Sequence, residues 1–114
     1  MILIVGGAYQ GKMDFAVELS GKMPEKVMGD VHQWIRDQMQ AGHTREGIER
    51  KLEEKISSCP DMILVADEIG YGIVPVDAFE REYRENAGRI LCGLAKKADT
   101  VYRVVAGIPE KIKG

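Results

Sequence analysis

No apolar run in this sequence approaches the roughly 20 residues that a membrane-spanning helix needs. The apolar start, Met1–Val5, lacks the basic flank and cleavage site of a signal peptide and meets Gly6-Gly7 at once. A cytoplasmic protein is therefore expected, with no membrane partner. An excess of positive charge is missing too: 16 Lys and Arg against 18 Asp and Glu leave a formal net charge of −2, with both signs interspersed. That excludes the clustered basic face of a nucleic-acid-binding protein, and the tail Lys111–Lys113 is too short to supply one. Cysteine is scarce. Cys59 and Cys92 are far apart and match no metal or redox spacing, so both are expected as small buried or half-buried thiols. Repeats, low-complexity stretches and linkers are absent as well. The 114 residues, 45% apolar and 30% charged, are expected to form one domain, 1–114, that buries its core without disulfides or metals.

What is present alternates between two periods. Met1–Val5 and Met62–Ala66 are continuous apolar, β-rich runs of the kind buried on both faces of a parallel sheet. Helices are expected over Lys12–Lys22, closed by Pro24, then Val31–Gln40, stopped by Gly42, and Thr44–Ser58. The longest is expected over Pro75–Ala98, with Val76, Phe79, Tyr83, Ala87, Ile90, Leu91 and Leu94 as its buried stripe. Gly88 and Gly93 are unfavourable inside it, and a close packing contact or a ligand would explain Gly88. Val27-Met28 reads as a brief strand, Val101–Ala106 as the last, and Gly107–Pro109 as a turn into the basic tail. Alternating strands and helices with short connections predict an α/β fold, a mostly parallel sheet with helices on its faces.

The most informative stretch is Gly6-Gly7-Ala8-Tyr9-Gln10-Gly11-Lys12-Met13. It has the Gly-x-x-x-x-Gly-Lys spacing of a phosphate-binding loop and lies between a buried strand and a helix, as that loop requires. Glycines let successive N–H groups converge on one anion, and the following helix adds its free amides and positive dipole end. Lys12 is then the mobile cation for the terminal phosphates of ATP or GTP. The alternative for Lys12 is a solvated lysine at a helix start. In such loops the final position is Ser or Thr, whose hydroxyl meets Mg²⁺. Here it is Met13, which offers a hard cation no oxygen, so phosphate binding survives better than Mg²⁺-assisted phosphoryl transfer.

The stretch Val65-Ala66-Asp67-Glu68-Ile69-Gly70-Tyr71-Gly72-Ile73-Val74-Pro75 resembles the (N/D)-E-(V/I)-G-x-G-(I/V)-V-P motif of the adenosylcobinamide kinase / adenosylcobinamide-phosphate guanylyltransferase family. The resemblance continues through Arg84, Ala87-Gly88-Arg89 and Leu94-Ala95 to Val104–Pro109 and Lys111–Lys113, and the Gly6–Lys12 loop resembles that family's Gly-Gly-Ala-Arg-Ser-Gly-Lys-Ser. It implies a RecA-like P-loop NTPase fold, reduced in size, often assembled as a trimer. It implies phosphorylation of cobinamide by ATP or GTP, then GMP transfer through a guanylylated histidine. The sequence departs from the family in three ways. It is shorter, and the region with the guanylylated histidine is missing; neither His32 nor His43 sits in that histidine's motif. Tyr9, Gln10 and Met13 replace Arg, Ser and Ser. Asp30, where the family has an acidic residue, is followed by Val31 and His32 rather than a threonine pattern.

Each further candidate has a plain alternative. Asp30 is either a Mg²⁺-holding acid or the N-cap of the next helix. Asp67 and Glu68 end a buried strand, where ligands of open α/β sheets gather; either positions metal, accepts a hydroxyl proton, or simply ties the following glycine loop. Lys12, Glu68 and Asp30 are the catalytic candidates. Arg89 is a phosphate or subunit contact, or an ordinary salt bridge. His32 reads as a helix-surface histidine, and Met13, Met23, Met28 and Met39 as filler. Two functions follow: a kinase of the family with guanylyl transfer lost, or a regulatory subunit that binds nucleotide or corrinoid without turnover.

Overall fold

The computed structural model describes residues 1–68 and 77–114. The glycine loop after Glu68, and Val76 of the expected helix stripe, lie outside the described residues. The elements are β1 (Ile2–Gly6), α1 (Lys12–Leu19), a 3₁₀ turn (Pro24–Lys26), β2 (Val27–Met28), α2 (Val31–Gln40), α3 (Arg45–Ser58), β3 (Ile63–Asp67), α4 (Ala78–Lys97), β4 (Thr100–Val105) and β5 (Ile108–Lys113). One five-stranded sheet runs in the order β2-β3-β1-β4-β5. All neighbours are parallel except β4 and β5.

Apolar continuity explains the centre. β1 is flanked by β3 and β4, and Leu3 and Ile4 are fully buried on opposite faces of it. Leu3 joins a large core with Val31, Ile35, Ile48, Leu52, Leu64 and Ile90, roofed by α2, α3 and α4. Ile4 joins a smaller one with Ala16, Ile63, Val65 and Val104, roofed by α1. This is the mostly parallel, helix-flanked sheet of a reduced P-loop NTPase. Among the described residues, no helix is long and apolar enough to cross a membrane.

Several boundaries differ from the sequence expectation, each for a local reason. Helix α1 stops at Leu19, well before Pro24: the Lys22 amide donates to Val17 O and the Gly21 amide to Glu18 O, with Gly21 at φ 72°, a glycine-terminated helix end. α2 ends the same way at Gly42, as expected. Asp30 stands at the N-cap position of α2 but makes no capping bond, because its backbone is left-handed (φ 49°) where a cap is extended. The true side-chain caps are Thr44, accepting from the Gly47 amide, and Asp77, accepting from the Glu80 amide. The basic tail is an edge strand, β5, because Ala106 and Gly107 take positive φ (50° and 77°) and close a two-residue hairpin. Cys92 is exposed rather than buried. Among the described residues, a side chain at Gly88 would meet nothing within 4 Å, so no close contact with them explains that glycine.

Candidate functional site

β1 delivers the chain to its carboxyl end at Gly6, between β3 and β4. A Cβ on Gly6 would sit 2.5 Å from the Val104 carbonyl oxygen, so close strand packing demands glycine there. Residues 7–11 then turn into α1. Gly11 stands at the N-cap with φ 86°, a conformation that costs other residues strain. The loop is tied across the sheet at Gln10: its Oε1 accepts from the Ala106 amide at 2.6 Å, and its carbonyl accepts from the Gly107 amide at 2.9 Å. The β4–β5 hairpin tip therefore holds the loop's shape. Sequence reasoning saw a turn there and missed the clamp.

Ala8, Tyr9, Gln10, Gly11, Lys12 and Met13 line a cavity of about 420 Å³, joined by Asp14, Asp30, Val65, Ala66 and Asp67. Its floor includes the first turn of α1, whose amides have no acceptor within the helix. Six of the loop's expected site residues, Ala8 to Met13, are thus brought together with Asp30, whereas Gly6 and Gly7 are not among the lining residues.

Lys12 is buried, at 7% exposure, and is the only buried charged side chain among the described residues. Its Nζ donates to the Gly7 carbonyl at 2.5 Å and pairs with Asp67 Oδ1 at 2.7 Å. The solvated-lysine alternative is therefore wrong. Asp67 reaches it because β3 runs one residue further than expected, so that Gly6 and Asp67 are register partners. Asp67 is in turn held by His32: its amide donates to His32 Nδ1 at 2.9 Å, and His32 Nε2 lies 3.4 Å from Asp67 Oδ2. His32 is thus not a plain surface histidine. Its position on α2 carried no motif, so only the packing of α2 against β3 reveals it.

Glu68 is aimed elsewhere. Its carboxylate takes two bonds from Arg103 of β4, Nε to Oε1 at 2.6 Å and Nη2 to Oε2 at 3.2 Å, and its amide donates to Gly6 O at 2.8 Å. Glu68 and Arg103 so bracket the end of β1 from its two sides. Arg103 was missed by sequence reasoning, for it belongs to no motif and only the place of β4 beside β1 brings it to Glu68. Arg89 makes an i,i+4 pair with Glu85, the ordinary salt bridge.

Met13 lines the cavity and also touches the turn before Asp30: a Cβ on Gly29 would lie 2.9 Å from its Sδ. Where a Mg²⁺-binding loop presents a hydroxyl, this one presents a thioether packed against Gly29. Among the described residues no group of three or more His, Cys, Asp or Glu side chains is placed to hold a metal ion. At position 13 the loop offers a hard cation no oxygen, and the acidic oxygens that line the cavity are those of Asp14, Asp30 and Asp67.

A family model described as "Cobinamide kinase / cobinamide phosphate guanyltransferase" matches residues 25–112, a segment that includes Asp30, Asp67, Glu68 and Arg103 and begins after the phosphate loop. The chain is 40% identical over 74 residues to the bifunctional adenosylcobalamin biosynthesis protein CobU of Salmonella typhimurium, covering 58% of this chain and 41% of that protein. It is 38% identical over 72 residues to the protein of the same name from Escherichia coli, covering 60% and 40%. It is 34% identical over 70 residues to CobP of Pseudomonas aeruginosa, again covering 60% and 40%. These matches span about two fifths of the relatives' length. With most of its length inside the family match, and β2, β3 with its acidic end, β4 and the β4–β5 hairpin tip falling there, this chain belongs to the cobinamide kinase / cobinamide phosphate guanyltransferase family.

Proposed function

We propose that the chain binds the phosphates of ATP or GTP in the cup formed by residues 6–13, and that it does so without a protein-held Mg²⁺ ion. The observation that carries this reading is the buried Lys12 ammonium at a cavity lined by the glycine loop and the first turn of α1. A buried ammonium is costly unless paired, and here its partners are one backbone carbonyl and one carboxylate. Phosphate oxygens are stronger acceptors than a carbonyl, so an incoming phosphate would take Lys12 from Gly7 O. Loop and helix amides would hold the remaining oxygens. The relatives' printed role in adenosylcobalamin biosynthesis points to cobinamide as the second ligand.

Catalysis is the second reading, favoured by the retained Lys12 and Glu68. The γ-phosphoryl would pass from its bridging oxygen to a cobinamide hydroxyl, whose proton would go to a carboxylate at the cavity. Lys12 would stabilise the transferred charge. Asp30 and Asp67 line the cavity, whereas Glu68 is engaged by Arg103 and would act by positioning that end of β1. Guanylyl transfer has no histidine of the family's motif to run through, and we propose that this chain lacks it.

Calorimetry with GTP and ATP, with and without Mg²⁺, tests both. Metal-indifferent binding is expected, weakened about tenfold to a hundredfold in Lys12→Met, the loss that a charge-assisted hydrogen bond implies. Absence of binding, or equal binding by Lys12→Met, would sink the phosphate-cup reading. Met13→Ser is expected to make GTP binding tighten when Mg²⁺ is added. Loss of γ-phosphate from GTP on adding cobinamide would establish the kinase.

A further inference from the structure

Histidine at position 32 is not used by the reading above, yet it meets the residue that holds Lys12 at two points. A backbone N–H can only donate, so the Asp67 amide at 2.9 Å requires an unprotonated Nδ1 on His32. The ring proton then sits on Nε2, which faces Asp67 Oδ2 at 3.4 Å. The ring thus meets one residue twice, accepting from its backbone and facing its carboxylate. Oδ1 is left for Lys12 at 2.7 Å. The start of α2 is itself anchored, since the Tyr83 hydroxyl donates to the His32 carbonyl at 3.1 Å. His32 is mostly shielded, with 17% of its side chain exposed, and Asp67 lines the cavity while His32 does not.

We infer that His32 is a positioning residue of the phosphate cup: it orients the Asp67 carboxylate, and through Asp67 it sets how firmly Lys12 is held when no anion is present. The chain of contacts runs His32 ring, Asp67, Lys12 ammonium, Gly7 carbonyl. Without the ring, the last strand residue of β3 loses an acceptor for its amide, and its carboxylate is free to turn to solvent. Lys12 then loses its countercharge although the loop sequence is unchanged. The consequence for nucleotide affinity rests on the proposed phosphate site; the hold on Lys12 does not.

The test separates the two. Lys12 acetylation by N-hydroxysuccinimide acetate is followed by peptide mass spectrometry on the folded chain without nucleotide. An ammonium locked in an ion pair reacts slowly. His32→Phe is expected to raise the Lys12 rate about fivefold, the scale of one lost hydrogen bond. His32→Asn, whose side-chain oxygen replaces Nδ1 as acceptor, is expected to restore the slow rate. His32→Gln, which places its oxygen nearer the Nε2 position, is expected not to. The Asn and Gln pair keeps the test decisive if the Phe variant fails to fold. Equal Lys12 rates in wild type, Asn and Gln variants would overturn the inference, as would a fast rate in the Asn variant. Adding GTP then reports on the other reading: protection of wild-type Lys12 supports the phosphate cup, and its failure alongside the predicted variant pattern sinks the cup while leaving the positioning role intact.

Discussion

Single residues in this site divide by whether a neighbour can yield. Gly6→Ala places a methyl 2.5 Å from the Val104 carbonyl oxygen and 3.3 Å from Lys12 Cδ. The first obstacle is backbone of a paired strand, so the expected cost is about 1–3 kcal/mol in urea unfolding, the range for overpacking a close-packed interior. Gly29→Ala instead meets the thioether end of Met13, which can swing away, and should cost under about 1 kcal/mol. Gly88→Ala meets nothing among the described residues and removes a helix-interior glycine, so it should stabilise by about 0.5–1 kcal/mol. A Gly88→Ala variant less stable than wild type would show that this position packs against something outside the described residues. The sequence places Gly6 in the glycine loop, Gly29 before α2 and Gly88 inside α4, but not the cost of filling each. Their difference lies in what another strand, another turn or empty space puts beside the missing Cβ.

Among the elements, the β4–β5 hairpin and the α2–α4 pair do work that no local pattern announced. The hairpin tip gives Gln10 two backbone donors, Ala106 and Gly107. Gln10→Ala leaves the Ala106 amide without its side-chain acceptor. Faster hydrogen exchange at Ala106 is expected, by about fivefold, with Gly107 little changed because its bond goes to the Gln10 backbone. Between α2 and α4, Arg36 lies 5.2 Å from the Phe79 ring centre and 5.1 Å from that of Tyr83, and it pairs with Glu80. The hydrogen bond from Arg36 holds the Glu80 carboxyl below the usual carboxylate range. A carboxyl whose pKa is lower folded than unfolded stabilises above its unfolded pKa, near 4.3 for Glu. That contribution fades as pH falls from there through the lowered folded value. Glu80→Gln should therefore flatten the acid limb of the urea-midpoint profile and leave its slope near neutrality unchanged. The helices themselves were legible from apolar spacing, and α2 with its Gly42 stop was read correctly. The end of α1 was not, because Gly21 three residues before Pro24 already offered a left-handed exit.

At the scale of the molecule, the sheet separates a thick core from a thin one. Leu64, fully buried in the thick layer under α2, α3 and α4, should cost about 2–5 kcal/mol as Leu64→Ala, a large share of a small domain's stability. Ile63→Val in the thin layer should cost about 0.5–1.5 kcal/mol, measured by the same denaturation. What the sequence determined by itself was everything that depends on near neighbours. Five apolar residues make a buried strand, three glycines let the next turn curl, and a lysine at the following helix start completes the Gly-x-x-x-x-Gly-Lys spacing; these preferences act over a few bonds and need no partner. Tertiary structure decided which groups that lysine meets. Asp67 faces it because β3 pairs with β1 in a register set by the apolar core, His32 reaches Asp67 because α2 crosses β3, and Arg103 draws Glu68 aside because β4 lies on the other flank of β1. Ion pairs and hydrogen bonds are satisfied by proximity in space, and proximity between distant segments is a property of sheet order and packing that no local residue pattern encodes.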